Sequence, residues 1–305
     1  MRLALLFNRH AGALRGGDAD QAAEDIAATF REAGHEVAVT LAEGESIRAA
    51  IRAAASAADY DAIVVGGGDG TVSFAAGAAT ESGRPLGILP LGTMNLFARS
   101  LAMPTDMKEA AAALARGEIR AIDIGKANGR VFVHAVGLGM HPAIVAEREK
   151  LSYGGRIGKM LGSLRAWLRV LRSPRRYSLS IATDGQRTDI VTAGAVVTNN
   201  LLGKGHLPYA DRLDGGVLGL YVTVARTPAE LLRVTAAAAT GTLADNPLVE
   251  YRQTTAVDIT SRSRRGAPLT IDGELLRLTG SIHIEIVPGG LKVLAPKSSP
   301  TPSAE

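Results

Sequence analysis

The residues best suited to chemistry lie in a glycine-rich turn between a buried strand and a helix. The apolar run Ile63–Val65 leads into Gly66-Gly67-Gly68-Asp69-Gly70-Thr71 (the first glycine turn), and a helical pattern follows. Glycines at such a junction let the backbone turn sharply, and the helix N-terminus adds unpaired N–H donors and a positive dipole end. The pattern predicts an anion site, most naturally for a phosphate chain. The alternative is a tight strand–helix turn without a ligand. The candidate ligand-binding residues are Gly67, Gly68, Asp69, Gly70 and Thr71.

A second turn repeats this arrangement one strand later. A short strand ends at Pro90, and Gly92-Thr93 leads into another helix (Pro90–Asn95, the second glycine turn). Thr93 and Asn95 offer short polar side chains that either cap the helix or face the same ligand. The first turn is not a dinucleotide fingerprint, because Thr71 stands where the third glycine is needed, and no lysine follows it as in a Walker A motif.

Two carboxylates flank a glycine near the end of the chain. Asp272 and Glu274 lie on either side of Gly273, between two apolar segments. Asp-Gly between such segments is a common hairpin turn. The same pair can also supply a general base and a divalent-cation contact, and both interpretations stay open at this point.

The elements that position these residues fall into two halves. Up to about residue 125, apolar runs and helical patterns alternate, which predicts a parallel sheet with helices on both faces. One helix is predicted over Ser46–Ala57, starting at a capping serine, and another near Met94–Leu101. From residue 126 strand patterns dominate, including Val131–Val136 and Ile190–Thr198, which predicts a mostly antiparallel second domain.

Together, in this order and spacing, the motifs resemble the diacylglycerol kinase catalytic family and its bacterial lipid-kinase relatives. The GGDGT and LPLGT-x-N segments are the specific ones, and the resemblance covers nearly the whole chain. It implies an α/β fold with a Rossmann-like three-layer nucleotide-binding domain over residues 1–125 and a C-terminal β-sandwich domain over 126–290. A closing strand at 291–296 would return to the first domain, and a Pro- and Ser-rich tail at 297–305 would be disordered. The supporting segments are Asn8–Gly12, Asp123–Gly125, Phe132–Gly139, Asn199–Gly205, Leu213–Gly216 and Asp272–Glu274.

The resemblance also implies a reaction. It would be Mg²⁺-dependent transfer of the γ-phosphoryl group of ATP to a lipid hydroxyl, such as that of diacylglycerol. Asp272 would match the general base, with Glu274 beside it in the catalytic pair, and Asp69 and Asp272 would be the metal ligands. Nucleotide contacts would come from the first glycine turn together with Asn8, Gly92, Thr93 and Asn95.

Departures from the family pattern keep two other functions open. Ser73-Phe74 stands where an Asn-Glu pair is usual, Leu96 replaces an acid, and Asp214 is followed by Gly215 instead of a second aspartate. The last change puts a structural Mg²⁺ site in doubt and favours an Arg212–Asp214 ion pair. One alternative is a catalytically impaired nucleotide-binding regulator. The other is a soluble-substrate kinase of the NAD kinase type, which also carries GGDGT.

Charge and composition bear on partners and location. The net charge is +4, yet Arg148–Arg176 holds nine basic residues and one acidic residue, so this segment carries +8 and the remainder −4. Its apolar residues recur at helical spacing and include the single Trp, which predicts a basic amphipathic helix on an anionic membrane surface. Packing of that helix on the second domain is the alternative. Scarce aromatics, at 4%, and the lack of a recognition motif argue against nucleic acid. The absence of cysteine fits a cytoplasmic protein. The basic helix predicts that this protein is peripherally membrane-associated, and a homodimer through second-domain strands is possible.

Overall fold

The computed structural model describes residues 1–14, 18–149 and 175–297. The chain divides into two compact units. The first contains residues 1–124, 212–214 and the stretch from 288 onward, and the second contains 125–211 and 215–287. Nearly all of the predicted basic helix and the predicted tail lie outside the described residues.

The first unit contains a parallel sheet in the order β2-β1-β3-β4-β16. Strands β1, β3 and β4 are almost continuously buried, as expected for parallel strands covered on both faces. The strands are β1 (Arg2–Asn8), β2 (Glu36–Ala42), β3 (Ala62–Gly67), β4 (Leu86–Pro90) and the last residues of β16 (Ser281–Ala295).

Helices cover this sheet in two pairs. The helices are α1 (Ala19–Glu32), α2 (Gly44–Ser56), α3 (Asp69–Ser82), α4 (Leu96–Ser100) and α5 (Met107–Ala115). Helix α1 packs on α5, and α2 packs on α3. Helix α1 connects β1 to β2, and α2 connects β2 to β3 on the other side of β1. Because such crossovers are right-handed, the two helix pairs lie on opposite faces of the sheet. The first unit is therefore three-layered.

The second unit is built from antiparallel strands in two sheets. One sheet has the order β16-β13-β8-β9 and the other β12-β11-β10-β7-β14-β15, while β5 forms a hairpin with β6. Strands β5 and β16 contribute residues to both units. The strands are β5 (Glu118–Ala127), β6 (Arg130–Phe132), β7 (Ala135–Gly139), β8 (Tyr177–Thr183), β9 (Gln186–Thr192), β10 (Gly194–Asn199), β11 (Leu218–Thr223), β12 (Val249–Thr254), β13 (Ala256–Ser261), β14 (Ala267–Ile271) and β15 (Glu274–Leu278).

A shared apolar core joins the two sheets of the second unit. Ile259 and Ile284 from one sheet and Val197 and Leu269 from the other are all at least 96% buried in one cluster. Within the described part of this unit, two helices accompany the sheets, α6 (Met140–Glu149) and α7 (Pro228–Ala239). The predicted fold class, a three-layer α/β domain followed by a β-sandwich, is confirmed.

Three local predictions were wrong. Helix α2 begins at Gly44, so Ser46 lies inside its first turn and is not its cap. The single strand predicted over Ile190–Thr198 is two strands in different sheets, which part where the Thr192 hydroxyl donates 2.7 Å to the carbonyl of Thr223. Likewise, Val131–Val136 is divided between β6 and β7. Side-chain hydrogen bonds that redirect the chain compete with the ladder, and apolar alternation does not reveal them.

Candidate active site

The predicted ligand-binding residues of the first unit lie at one edge of its sheet. Phe7 pairs with Gly66, and Gly66 pairs with Leu89, so strands β1, β3 and β4 end at the same level of the sheet. Strand order reverses between β1 and β3, since β1 is flanked by β2 on one side and β3 on the other. Open α/β sheets bind ligands beyond the carboxyl ends of their strands at such a reversal. Both glycine turns stand at this place.

Not every glycine of the first turn has a packing reason. A Cβ on Gly66 would lie 2.6 Å from the Phe7 ring, and one on Gly67 would lie 2.8 Å from Cβ of Thr71. A Cβ on Gly70, by contrast, would meet nothing within 4 Å. Gly70 is nevertheless the second residue of α3, where alanine would favour the helix by about 1 kcal/mol. Because this exposed residue has no side chain, a ligand can approach its backbone closely, as a phosphate site requires.

The N-terminus of α3 adds to this anion site. Helix α3 begins at Asp69, and its N-cap Gly68 supplies no side-chain hydrogen bond. The N–H groups of Thr71 and Val72 both donate to the carbonyl of Gly68, so the N–H groups of Asp69 and Gly70 precede the first bonds of the helix. Such N–H groups concentrate positive potential at this end. The site can therefore bind a phosphate chain through backbone amides.

Asp69 joins the two glycine turns. Its carboxylate accepts hydrogen bonds from the backbone N–H of Asn95 at 3.1 Å and of Leu96 at 2.9 Å. Asn95 has φ of 49°, and its side chain accepts from the N–H of Gly92 and donates to the carbonyls of Pro90 and Gly92. The Asn95 side chain therefore shapes the second turn itself. Asn95 is the N-cap residue of α4, which starts only at Leu96, but its side chain makes no capping hydrogen bond to that helix.

The turns also touch directly. A Cβ on Gly92 would lie 2.7 Å from Cα of Gly68, so the two backbones pass at a distance that only glycine permits. Asn8 completes the arrangement by donating 3.0 Å to the Thr71 hydroxyl. Thr93 is exposed on the second turn. The structure thus gathers all nine predicted nucleotide-site residues at one edge of the first unit; their role in binding a nucleotide stays a prediction.

Asp272 occupies a hairpin turn in the second unit. Asp272 and Gly273 have φ of 46° and 85° between β14 and β15, as in a type I′ turn. Three consecutive backbone N–H groups, those of Val133, His134 and Ala135, donate to its carboxylate at 2.9 to 3.0 Å. The residue is therefore both a turn residue and a firmly placed carboxylate, so the two interpretations of the sequence are compatible.

Glu274 is held by a residue that the sequence did not single out. Its carboxylate accepts two hydrogen bonds from the Arg130 guanidinium, at 3.2 and 2.5 Å. This hydrogen bonding with Glu274 raises the pKa of Arg130, and the negative charge of Asp272 acts in the same direction. The only local signal for Arg130 was its place directly after Asn128-Gly129, a hairpin-turn dipeptide.

The weakened aspartate motif at Arg212–Asp214, predicted in the second domain, belongs to the first unit and forms the ion pair that its sequence suggested. Arg212 donates 3.0 Å to Asp214, both side chains are exposed, and this hydrogen bond raises the pKa of Arg212. Among the described residues no three His, Asp or Glu side chains group as a metal site. Mg²⁺ commonly uses one or two carboxylates plus substrate phosphates, so the Asp69 carboxylate beside an anion site fits that requirement.

A small apolar cavity of about 60 Å³ lies within the second unit. Its walls include Leu138, Ala195, Val234 and Leu243. The polar groups that border it are Tyr221, whose pKa burial raises to about 12, and His141, whose Nδ1 lies 3.2 Å from the Thr270 hydroxyl. Sequence reasoning missed this cavity, because its walls come from five separate segments.

Comparisons with known proteins agree with the fold. Residues 2–127 match the family model of the diacylglycerol kinase catalytic domain, and residues 148–295 match that of the YegS C-terminal NAD kinase beta sandwich-like domain. The chain is 31% identical to a diacylglycerol kinase of Bacillus subtilis over 257 residues, covering 80% of this chain and 81% of the relative. It is 30% identical to one of Staphylococcus carnosus over 234 residues, or 71% of each chain. A crystal structure of a diacylglycerol kinase from Bacillus anthracis superimposes with a TM-score of 0.73 at 19% identity, covering 96% of each chain.

These findings define an enzyme of the kinase class, with a nucleotide-type α/β domain and a β-sandwich. The chain belongs to the diacylglycerol kinase family. Within the described residues, no helix has the length and apolar character needed to cross a membrane.

Proposed function

We propose that this kinase transfers the γ-phosphoryl group of ATP to the hydroxyl of a lipid such as diacylglycerol. The observation that carries the proposal is the pair of apposed glycine turns. Gly70, near the start of α3, is a glycine although a side chain there would clash with no neighbouring atom. That arrangement suits a phosphate chain bound through backbone amides. Family membership supplies the reaction class.

The chain's own residues would act as follows. The α3 amides bind the phosphates of the nucleotide and hold the terminal one for attack. The lipid hydroxyl oxygen forms a bond to the γ-phosphorus while the bond to the β–γ bridging oxygen breaks and ADP leaves. The hydroxyl proton passes to the Asp272 carboxylate, which its three amide donors hold in one orientation. Mg²⁺, where bound to the phosphates beside Asp69, supplies charge neutralisation.

The cavity of the second unit supports a lipid substrate. Its volume is only about 60 Å³, but its lining is almost wholly apolar and suits hydrocarbon. His141, which borders the cavity, lies 3.2 Å from the hydroxyl of Thr270 on β14, two residues before Asp272. A soluble dinucleotide substrate would have little use for such a cavity.

The direct test is an assay of purified protein with γ-labelled ATP, Mg²⁺ and mixed vesicles that each contain one lipid alcohol. The panel holds diacylglycerol, ceramide, a sphingoid base and a polyprenol-type alcohol, with NAD as the soluble comparison. We expect label in diacylglycerol. Label only in NAD would favour the soluble-substrate kinase, and ATP binding without label in any acceptor would favour a regulator without turnover.

We also propose that Arg148–Arg176 brings the enzyme to an anionic membrane surface. The support is its net charge of +8 beside an otherwise acidic chain. Co-sedimentation with vesicles containing phosphatidylglycerol should exceed that with phosphatidylcholine and should weaken as salt rises. Replacing Arg165, Arg169 and Arg172 by Gln should reduce it, whereas Arg262→Gln, in a surface ion pair with Asp189, should not. Equal binding by both variants would contradict the proposal.

A further inference from the structure

Arg130 and Glu274 join two hairpins that resemble each other. Asn128 and Gly129 have φ of 48° and 82° between β5 and β6, matching the 46° and 85° of Asp272 and Gly273 between β14 and β15. Two-residue turns of this kind fix the register of the strands on either side. Arg130 follows the first turn and Glu274 follows the second, so their ion pair connects equivalent positions of the two hairpins.

The ion pair lies beside the donors that hold Asp272. Strand β6 starts at Arg130 and runs directly into Val133, His134 and Ala135, whose N–H groups bind the Asp272 carboxylate. The Asp272 N–H in turn donates 2.9 Å to the carbonyl of Ala135. The segment that carries the donors and the turn that carries the carboxylate are therefore linked at two places, by these backbone bonds and by the ion pair.

The position of the ion pair matters because one residue separates Glu274 from Asp272. A guanidinium that grips the carboxylate with two hydrogen bonds fixes direction as well as distance. With Arg130 bound, the first residue of β15 is tied to the first residue of β6, next to the segment whose amides hold the Asp272 carboxylate. The ladders of β14 with β15 and β7 set the register of the hairpin, and the ion pair adds a side-chain contact between the turn and the amide segment.

We propose that Arg130 and Glu274 form a positioning pair that fixes the Asp272 carboxylate for catalysis. The proposal rests on the proposed function for the role of Asp272 as base. It gives Glu274 a role through Arg130 instead of a direct contact with metal or substrate. Arg130 becomes a functional residue although it touches no reacting group.

A double-mutant cycle on kcat tests the pair. Arg130→Gln and Glu274→Gln should each lower kcat about tenfold, the scale of a small misplacement of a reacting group, with KM for ATP within about twofold of wild type. The double variant should lose about tenfold as well, because two residues that act through one contact are not additive. Arg130→Lys should recover part of the loss. A matched control is Arg262→Gln, which breaks an exposed ion pair elsewhere in the second unit and should leave kcat unchanged.

Two kinetic results would overturn the positioning pair. The first is a double variant about a hundredfold down, which would mean that Glu274 acts independently of Arg130. The second is a pair of single variants within twofold of wild type. Either result would leave the kinase activity itself intact in the wild-type protein.

Amide hydrogen exchange separates this inference from the proposed function. Both single variants should exchange faster than wild type and the Arg262→Gln control at Val133, His134 and Ala135, because the Asp272 turn moves more freely. If wild type phosphorylates no lipid but this change occurs, the positioning contact stands and the proposed function fails. If exchange is unchanged, the positioning pair is refuted whether or not the enzyme is active.

Discussion

The apposition of the two glycine turns can be tested by adding one methyl group. A Cβ on Gly92 would lie 2.7 Å from Cα of Gly68 and equally close to Oδ1 of Asn95, whereas ordinary contact begins at 3.4 Å, so the turns must part by about 0.7 Å. The Asn95 side chain would also be pushed away from the Gly92 N–H, which donates a hydrogen bond of 2.9 Å to it. Overpacking of this size costs about 1–3 kcal/mol of unfolding free energy.

The loss of nucleotide binding in Gly92→Ala should be separable from the loss of stability. Amide bonds to a charged group contribute about 1.5–3 kcal/mol each, so misplacing one of them lowers ATP affinity about tenfold to a hundredfold. Isothermal titration with ATP measures the affinity, and urea unfolding measures the stability. The affinity is determined where the variant is fully folded.

Two other glycines of the same region, Gly77 and Gly68, are matched controls, and Gly70 provides a second test. Gly77→Ala, inside α3 with open space around it, should raise stability by about 0.5–1 kcal/mol and leave ATP binding unchanged. Gly68→Ala places a Cβ 3.7 Å from Cα of Gly92, an ordinary contact, and should fold normally. Gly70→Ala should stabilise α3 yet weaken ATP binding, because its methyl group stands where the phosphates approach. Wild-type affinity in folded Gly92→Ala would refute the reasoning on apposition, and wild-type affinity in Gly70→Ala would refute the reasoning on the bare amide.

Three further outcomes are expected. Asp272→Asn should lower kcat by orders of magnitude at nearly unchanged ATP affinity, and should also cost about 1–3 kcal/mol in urea unfolding because its amide NH₂ faces a backbone N–H donor; a fully active variant would remove Asp272 from the role of base. Burial raises the pKa of Tyr221 from 10.0 to about 12, so the stability gained by burying the neutral phenol is complete below pH 10 and is lost as pH rises toward 12. Tyr221→Phe should flatten that loss in alkaline unfolding curves; an identical alkaline loss in both proteins would show that another group is responsible. Hydrogen bonds from the backbone N–H groups of Arg226 and Thr227 lower the pKa of Glu230 below 4.5, so its contribution is present above pH 4.5 and is lost as pH falls through the lowered value. The difference in thermal midpoint between wild type and Glu230→Gln should shrink over that acid range, and a constant difference would contradict the capping interaction.

Local sequence signals predicted the order of elements in the first unit, although not the starts of α2 and α4. Apolar strands that end in glycine specify both the sheet and the edge at which its turns meet, since parallel strands present all their carboxyl ends together. Gly68 and Gly92 could be placed at this edge without coordinates for that reason, whereas Asn8 was predicted only from the family resemblance. What the sequence did not reveal is which glycines serve packing, because the clash of a Gly66 Cβ with Phe7 depends on a neighbouring strand.

The second unit was predicted less completely because its contacts join distant parts of the chain. Arg130 and Glu274 are separated by 144 residues, and the donors to Asp272 lie 137 to 139 residues before it. No periodicity or spacing encodes such a pairing. The hairpin dipeptides Asn128-Gly129 and Asp272-Gly273 were visible, but their placement against each other depends on the order of strands in the sandwich.

The identity of Asp272 is constrained twice, and the two constraints explain how a hairpin turn can hold the carboxylate that we propose as the base. At φ of 46° the backbone is left-handed, which Asp and Asn tolerate better than most side chains. The three amides of Val133, His134 and Ala135 then need a short carboxylate, since a longer Glu side chain from the same turn would overshoot them. Asn tolerates the left-handed backbone but cannot accept hydrogen bonds from all three amides, whereas Glu fits neither the backbone conformation nor the amides. The turn therefore requires Asp for structural reasons and holds its carboxylate in a fixed position. The Arg130–Glu274 ion pair lies where it can keep the carboxylate in that position.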